Sequence, residues 1–165
     1  MLDSIIIRCS GQFRWELCRT MQGPAWNNVQ IKSLTSEYSD YIQFYRKNHD
    51  LSEEKKEKIK LQIQKCRNST REVFALDYEN WVKNESHSAI TLNKLAREIL
   101  ATYCPFPKEI RSQQEGQPIF MDAFARFKRE RVKKVREMDL RFRVLEKEGI
   151  EIPEELLLTK EYYTM

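Results

Sequence analysis

The chain reads as an all-α protein. The expected form is elongated: four to six amphipathic helices, with a proline-rich connector ahead of a long basic C-terminal helix. Three observations predict this. Only 4 Gly and 5 Pro punctuate 165 residues, too few for the turns a sheet demands. Apolar residues recur at a helical period through most of the chain. A third of the residues are charged, yet eight Phe, seven Tyr and three Trp require a core that a disordered chain could not supply.

In chain order, a first helix is expected behind Asp3 or Ser4 and to run to about Met21, with Gly11 as its weak point. Leu2, Ile6, Cys9, Phe13 and Leu17 would share one of its faces. Residues 1–35 carry Arg8, Arg14, Arg19 and Lys32 against Asp3 and Glu16. A basic, hydroxyl-rich amphipathic start of this kind resembles a mitochondrial presequence, and an ordinary first helix has the same pattern. Pro24 in "GPAW" suits the first position of a second helix carrying Trp26, Ile31, Leu34, Tyr38, Tyr41, Ile42 and Tyr45; Ser36 could cap a shorter version. Ser52 is a good N-cap with Glu53 and Glu54 behind it. The next stretch, residues 53–83, aligns Ile59, Ile63, Cys66, Val73, Phe74 and Trp81. It forms one helix, or two if Ser69 and Glu72 cap a second.

"AITLNKLAREILATY" places Ile90, Leu95, Ile99 and Tyr103 on one face, and Pro105 and Pro107 end it. Four regions follow: a helical region over 1–103, an extended connector over 104–118, a long basic amphipathic helix over 119–149, and a 150–165 tail with a short helical turn. Pro118 opens the long helix and Gly149 closes it. Its apolar stripe is Phe120, Phe124, Phe127, Val135, Met138, Phe142 and Leu145, with Arg131 interrupting. That spacing is expected of a helix–helix seam and marks these residues as a candidate protein interface.

Between Arg126 and Lys147 lie ten Lys/Arg and four Asp/Glu, a surplus of six within a total of +4, so the remainder of the chain is about −2. Lys128, Arg129, Lys133, Arg136 and Arg143 fall opposite the Phe stripe. Such a face suits RNA phosphates or an acidic protein partner; it can equally be a solvated face laced by pairs such as Glu130–Lys134 and Glu137–Arg141.

No apolar run approaches the roughly 20 residues that span a bilayer. Cys9, Cys18, Cys66 and Cys104 form no CxxC pair, and with only His49 and His87 no zinc spacing arises. Reduced, mostly buried thiols are expected. Gly-rich phosphate loops, GxSxG and HExxH are absent, so neither a catalytic residue nor a cofactor is assigned. Phe44, Tyr45 and Arg46 are similar, over three residues, to the leucine-tyrosine-arginine motif of small mitochondrial helical-bundle proteins; Phe stands in place of the leucine, and no family is assigned on it. The function expected is that of a non-catalytic structural or accessory subunit of a large assembly, of respiratory-chain or ATP-synthase type, acting through helix packing. Its partners would be protein subunits and its location mitochondrial, otherwise cytoplasmic. The alternative is a mitochondrial ribosomal protein contacting RNA through residues 126–147.

Overall fold

The computed structural model describes residues 1–164; Met165, the end of the predicted tail, lies outside them. The described residues form eight α-helices joined by turns and short 3₁₀ segments, without strands. This exceeds the four to six expected, because one long stretch divides and the connector holds a helix of its own. The chain divides into two compact units, residues 1–106 and 107–165.

In the first unit, α1 spans Leu2–Gln22 without interruption at Gly11. Gly11 is where α1 meets α4: a Cβ there would sit 3.0 Å from Cδ1 of Tyr78. The glycine is therefore a close-approach position, which explains its place in a helix despite a propensity cost of about 1 kcal/mol.

Pro24 enters a 3₁₀ turn, Gly23–Ala25, rather than a long helix. The second helix, α2, begins only at Leu34 and ends at Phe44. Ser33 and Ser36 form its reciprocal cap: Ser36 N–H donates to Ser33 Oγ at 3.2 Å and Ser33 N–H to Ser36 Oγ at 2.9 Å. Ser36 thus serves as the third residue of the cap rather than the cap itself, and Ile31 is left exposed.

Residues 53–83 are two helices, α3 (Glu53–Lys65) and α4 (Thr70–Lys83). Both predicted caps form, Ser52 Oγ accepting from Lys55 N–H and Ser69 Oγ from Glu72 N–H. Arg67 and Asn68 between them adopt left-handed backbone, with φ of 54° and 61°, which stops α3. Helix α5 (Lys94–Tyr103) starts five residues later than "AIT" suggested, with Asn93 as its cap. The delay has a cause in Glu85, which draws the preceding loop inward. Its carboxylate accepts from Thr91 and Leu92 N–H at 2.9 and 2.8 Å and from Arg97 at 2.8 and 3.0 Å. Ile90 is consequently exposed.

An aromatic cluster forms this unit's core. Trp15 of α1 lies 5.5 Å from Phe74 of α4, and Tyr38 of α2 meets Phe74 edge-on at 5.2 Å, the geometry ring quadrupoles favour. Trp81 stacks on Phe106 at 3.8 Å and donates its indole N–H to the Cys104 carbonyl at 2.8 Å. Only Cys104 of the four free thiols is buried, contrary to expectation; Cys9 is exposed on α1.

The second unit contains α6 (Lys108–Gln114), α7 (Pro118–Lys147) and α8 (Glu154–Thr164). The connector predicted as extended therefore contains a helix. The two prolines restrict the backbone only up to Pro107, and the Gly116 φ of 92° breaks the chain after α6. The termini of α7 agree with the sequence: Pro118 opens it, and Gly149 at φ 71° closes it with N–H bonds from Gly149 and Ile150 to the Glu146 and Leu145 carbonyls. Helix α8 packs on α7 through Lys160, which bridges Asp139 at 2.6 Å and lies 5.6 Å over the Phe142 ring. None of the described helices is long and apolar enough to cross a membrane.

Candidate interaction surfaces

At 100° per residue, α1 has two opposed arcs. Ser4, Ile7, Gly11, Trp15, Cys18 and Gln22 are buried or half-buried, whereas Leu2, Ile6, Cys9, Phe13 and Leu17 all face solvent. The face grouped from the sequence exists as a face but points outward. Leu2 is 69 % exposed, Ile6 55 %, Phe13 67 % and Leu17 48 %. Single exposed apolar residues are ordinary, but a continuous helical arc of them is the pattern of a contact surface. A mid-helix Gly four residues before a Trp was the signal for the inward arc.

The arginines flanking this arc are engaged within the chain. Arg8 bridges Glu79 at 2.7 Å, Arg19 bridges Glu16 at 2.9 Å, and Arg14 lies over the Tyr78 ring. The Arg19 hydrogen bond holds the Glu16 carboxyl below its usual range.

On α7 the predicted apolar stripe faces inward. Phe120, Phe127 and Phe142 are buried, and Phe124, Val135, Met138 and Leu145 are half-buried. Arg131, which interrupts the stripe, lays its guanidinium over the Phe127 ring at 5.7 Å. The five basic candidates Lys128, Arg129, Lys133, Arg136 and Arg143 are all exposed. Two are engaged: Lys128 with Glu115 at 2.8 Å and Lys133 with Glu130 at 2.9 Å. Lys134, expected to pair with Glu130, instead lies 5.3 Å over Tyr163. Arg129, Arg136 and Arg143 recur every seven residues, about 10.5 Å apart along a helix, and face solvent in one line.

His87 Nδ1 lies 2.9 Å from Ser86 Oγ and 3.1 Å from the Lys83 carbonyl, on the surface. Burial pushes the Cys66 thiol up, with Glu72 and Asp77 adding to the shift, the opposite of what activates a nucleophile. Burial likewise raises the Cys104 thiol to about 11.

Residues 23–162 match a protein family described as a domain of unknown function, DUF8509, and the chain belongs to that family. The match begins where α1 ends. No curated protein and no solved structure matches the chain.

Proposed function

We propose that the chain is a non-catalytic accessory subunit of a multi-subunit assembly, docking on another protein subunit through the outward arc of α1. One observation carries this reading: Leu2, Ile6, Phe13 and Leu17 form a continuous exposed apolar face on a helix whose opposite side is locked into the core by Trp15. The pairing of Arg8 and Arg19 with Glu79 and Glu16 favours a protein partner. A membrane-surface helix would need those cations free for anionic headgroups.

The mitochondrial setting rests on the same helix, which joins Arg8, Arg14 and Arg19 to Ser4, Ser10, Thr20 and an apolar arc. In this reading α1 is an address that is retained, because cleaving it would strip Trp15 from Tyr38 and Phe74. A second reading, RNA contact through α7, is supported by the line of Arg129, Arg136 and Arg143.

The test is affinity purification of the full chain and of an Ile6→Asp, Phe13→Asp variant, with quantitative comparison of co-purifying proteins. A defined set of subunits lost only from the variant, with unchanged helicity, is the expected result. An unchanged set, or concentration-dependent dimerisation of the isolated chain through this face, would overturn the reading. Subunits that depart on RNase treatment would favour the second.

A further inference from the structure

Within the second unit, α6 and α7 enclose a cleft of about 200 Å³. Helix α6 lines it with Lys108, Arg111 and Ser112, Glu115 follows just past the end of α6, and α7 contributes Phe124, Phe127, Lys128 and Arg131. On α7 these are positions i, i+3, i+4 and i+7, one helical face. On α6, Lys108 and Arg111 stand at i and i+3, so the two faces oppose each other across the cleft.

The charges there do not balance. Glu115 is held by Lys128 at 2.8 Å. Lys108, Arg111 and Arg131 make no ion pair with a carboxylate among the described residues. Two of these three cations share one ring: the guanidinium carbons of Arg111 and Arg131 lie 4.6 and 5.7 Å from the Phe127 centroid. Arg111 Nε is buried without a hydrogen-bond acceptor. Burial disfavours the Arg111 cation and Arg131 repels it, opposed in part by Tyr162 and by the Glu109 carboxylate.

Folded proteins seldom leave two guanidiniums together with no acid between them, since an unpaired, partly desolvated cation is costly. A ring can offset part of that cost, but it cannot accept the forked N–H donors that match phosphate oxygens. An anion seated between Arg111, Arg131 and Lys108 would complete the set. The half-buried Phe124 at the rim suits an organic body attached to it.

We propose that the α6–α7 cleft is a binding site for a small phosphomonoester, whose phosphate is held by Arg111, Arg131 and Lys108 and whose organic part rests on Phe124. The site is independent of the α1 surface.

The full chain is titrated by calorimetry with inorganic phosphate, with phenyl phosphate and with a single-stranded RNA oligomer, against sodium chloride at matched ionic strength. Phenyl phosphate is expected to bind saturably at or below about 1 mM, more tightly than inorganic phosphate. Arg111→Gln and Arg131→Gln are each expected to weaken it at least tenfold. Phenyl phosphate is also expected to raise the melting temperature of the wild type and of neither variant. Circular dichroism checks folding, and where one variant misfolds the other carries the comparison. Equal affinity for phosphate and phenyl phosphate would keep the anion site and overturn the contact with the ring. No saturable binding by about 10 mM, affinity unchanged in both variants, an effect reproduced by chloride, or binding of RNA alone would overturn the proposal.

Discussion

Two buried carboxylates show how far partners decide a residue's behaviour. Glu85 is met by two backbone N–H groups and a bidentate guanidinium. Among the described residues, Asp77 receives hydrogen bonds only from neutral groups, the Tyr38 hydroxyl and Gln62 Nε2 at 2.7 Å. Burial therefore dominates and pushes its carboxyl up from 3.8 to about 6, despite those two bonds, with Glu85 adding repulsion. The folded state binds this proton more tightly than the unfolded chain does. The resulting stabilisation is complete below about pH 4 and is lost as pH rises through about 6. A rise from 3.8 to about 6 corresponds to roughly 3 kcal/mol. Urea melts between pH 4.5 and 7 are expected to show stability falling with pH, and Asp77→Asn is expected to flatten that slope. Glu16 and Glu115, held low by Arg19 and Lys128, act in the opposite sense only below about pH 4.5, outside that window. A slope unchanged in Asp77→Asn would assign the effect elsewhere.

At the scale of elements, local punctuation was legible at four positions and misleading at Pro24, which enters a 3₁₀ turn instead of a long helix. Ser52, Ser69, Pro118 and Gly149 each end or start a helix as their chemistry dictates. Long-range causes were not legible. The start of α5 is displaced because Glu85, buried seven residues upstream of Leu92, captures the loop's amides; nothing in the local pattern of "AITLN" encodes that. The candidate surfaces divide in the same way. The α7 stripe and its basic back face follow from periodicity, but the orientation of α1 does not, because periodicity groups residues without saying which arc is inward. Arg97 closes the Glu85 clasp and also donates to the Leu92 carbonyl at 2.6 Å. Arg97→Ala leaves a buried carboxylate without its counter-charge, a loss of about 3–5 kcal/mol. Chemical denaturation is expected to show that cost, with the loop at residues 88–93 losing hydrogen-exchange protection first. A change below about 1 kcal/mol would mean the pair is replaceable by water.

For the molecule as a whole, the docking proposal gives α1 two roles on one cylinder, which makes it separable from stability. Trp15 is buried against Phe74, Tyr38 and Trp26, so Trp15→Ala should cost about 3–5 kcal/mol, as large aromatic truncations in a core do. Leu2, Phe13 and Leu17 lie in solvent. Replacing them with Ser should change stability by no more than roughly 0.5 kcal/mol apiece, the range for surface positions, apart from the small helix-propensity loss. A partner that uses the outward arc would reverse this ranking for assembly. The serine variant would fold normally and fail to incorporate, whereas Trp15→Ala at a permissive temperature would incorporate at reduced abundance. Measuring melting temperature and incorporation on the same two variants tests the division directly. If both properties fell together in both variants, α1 would be acting only as a structural helix, and its apolar outer arc would have no docking role.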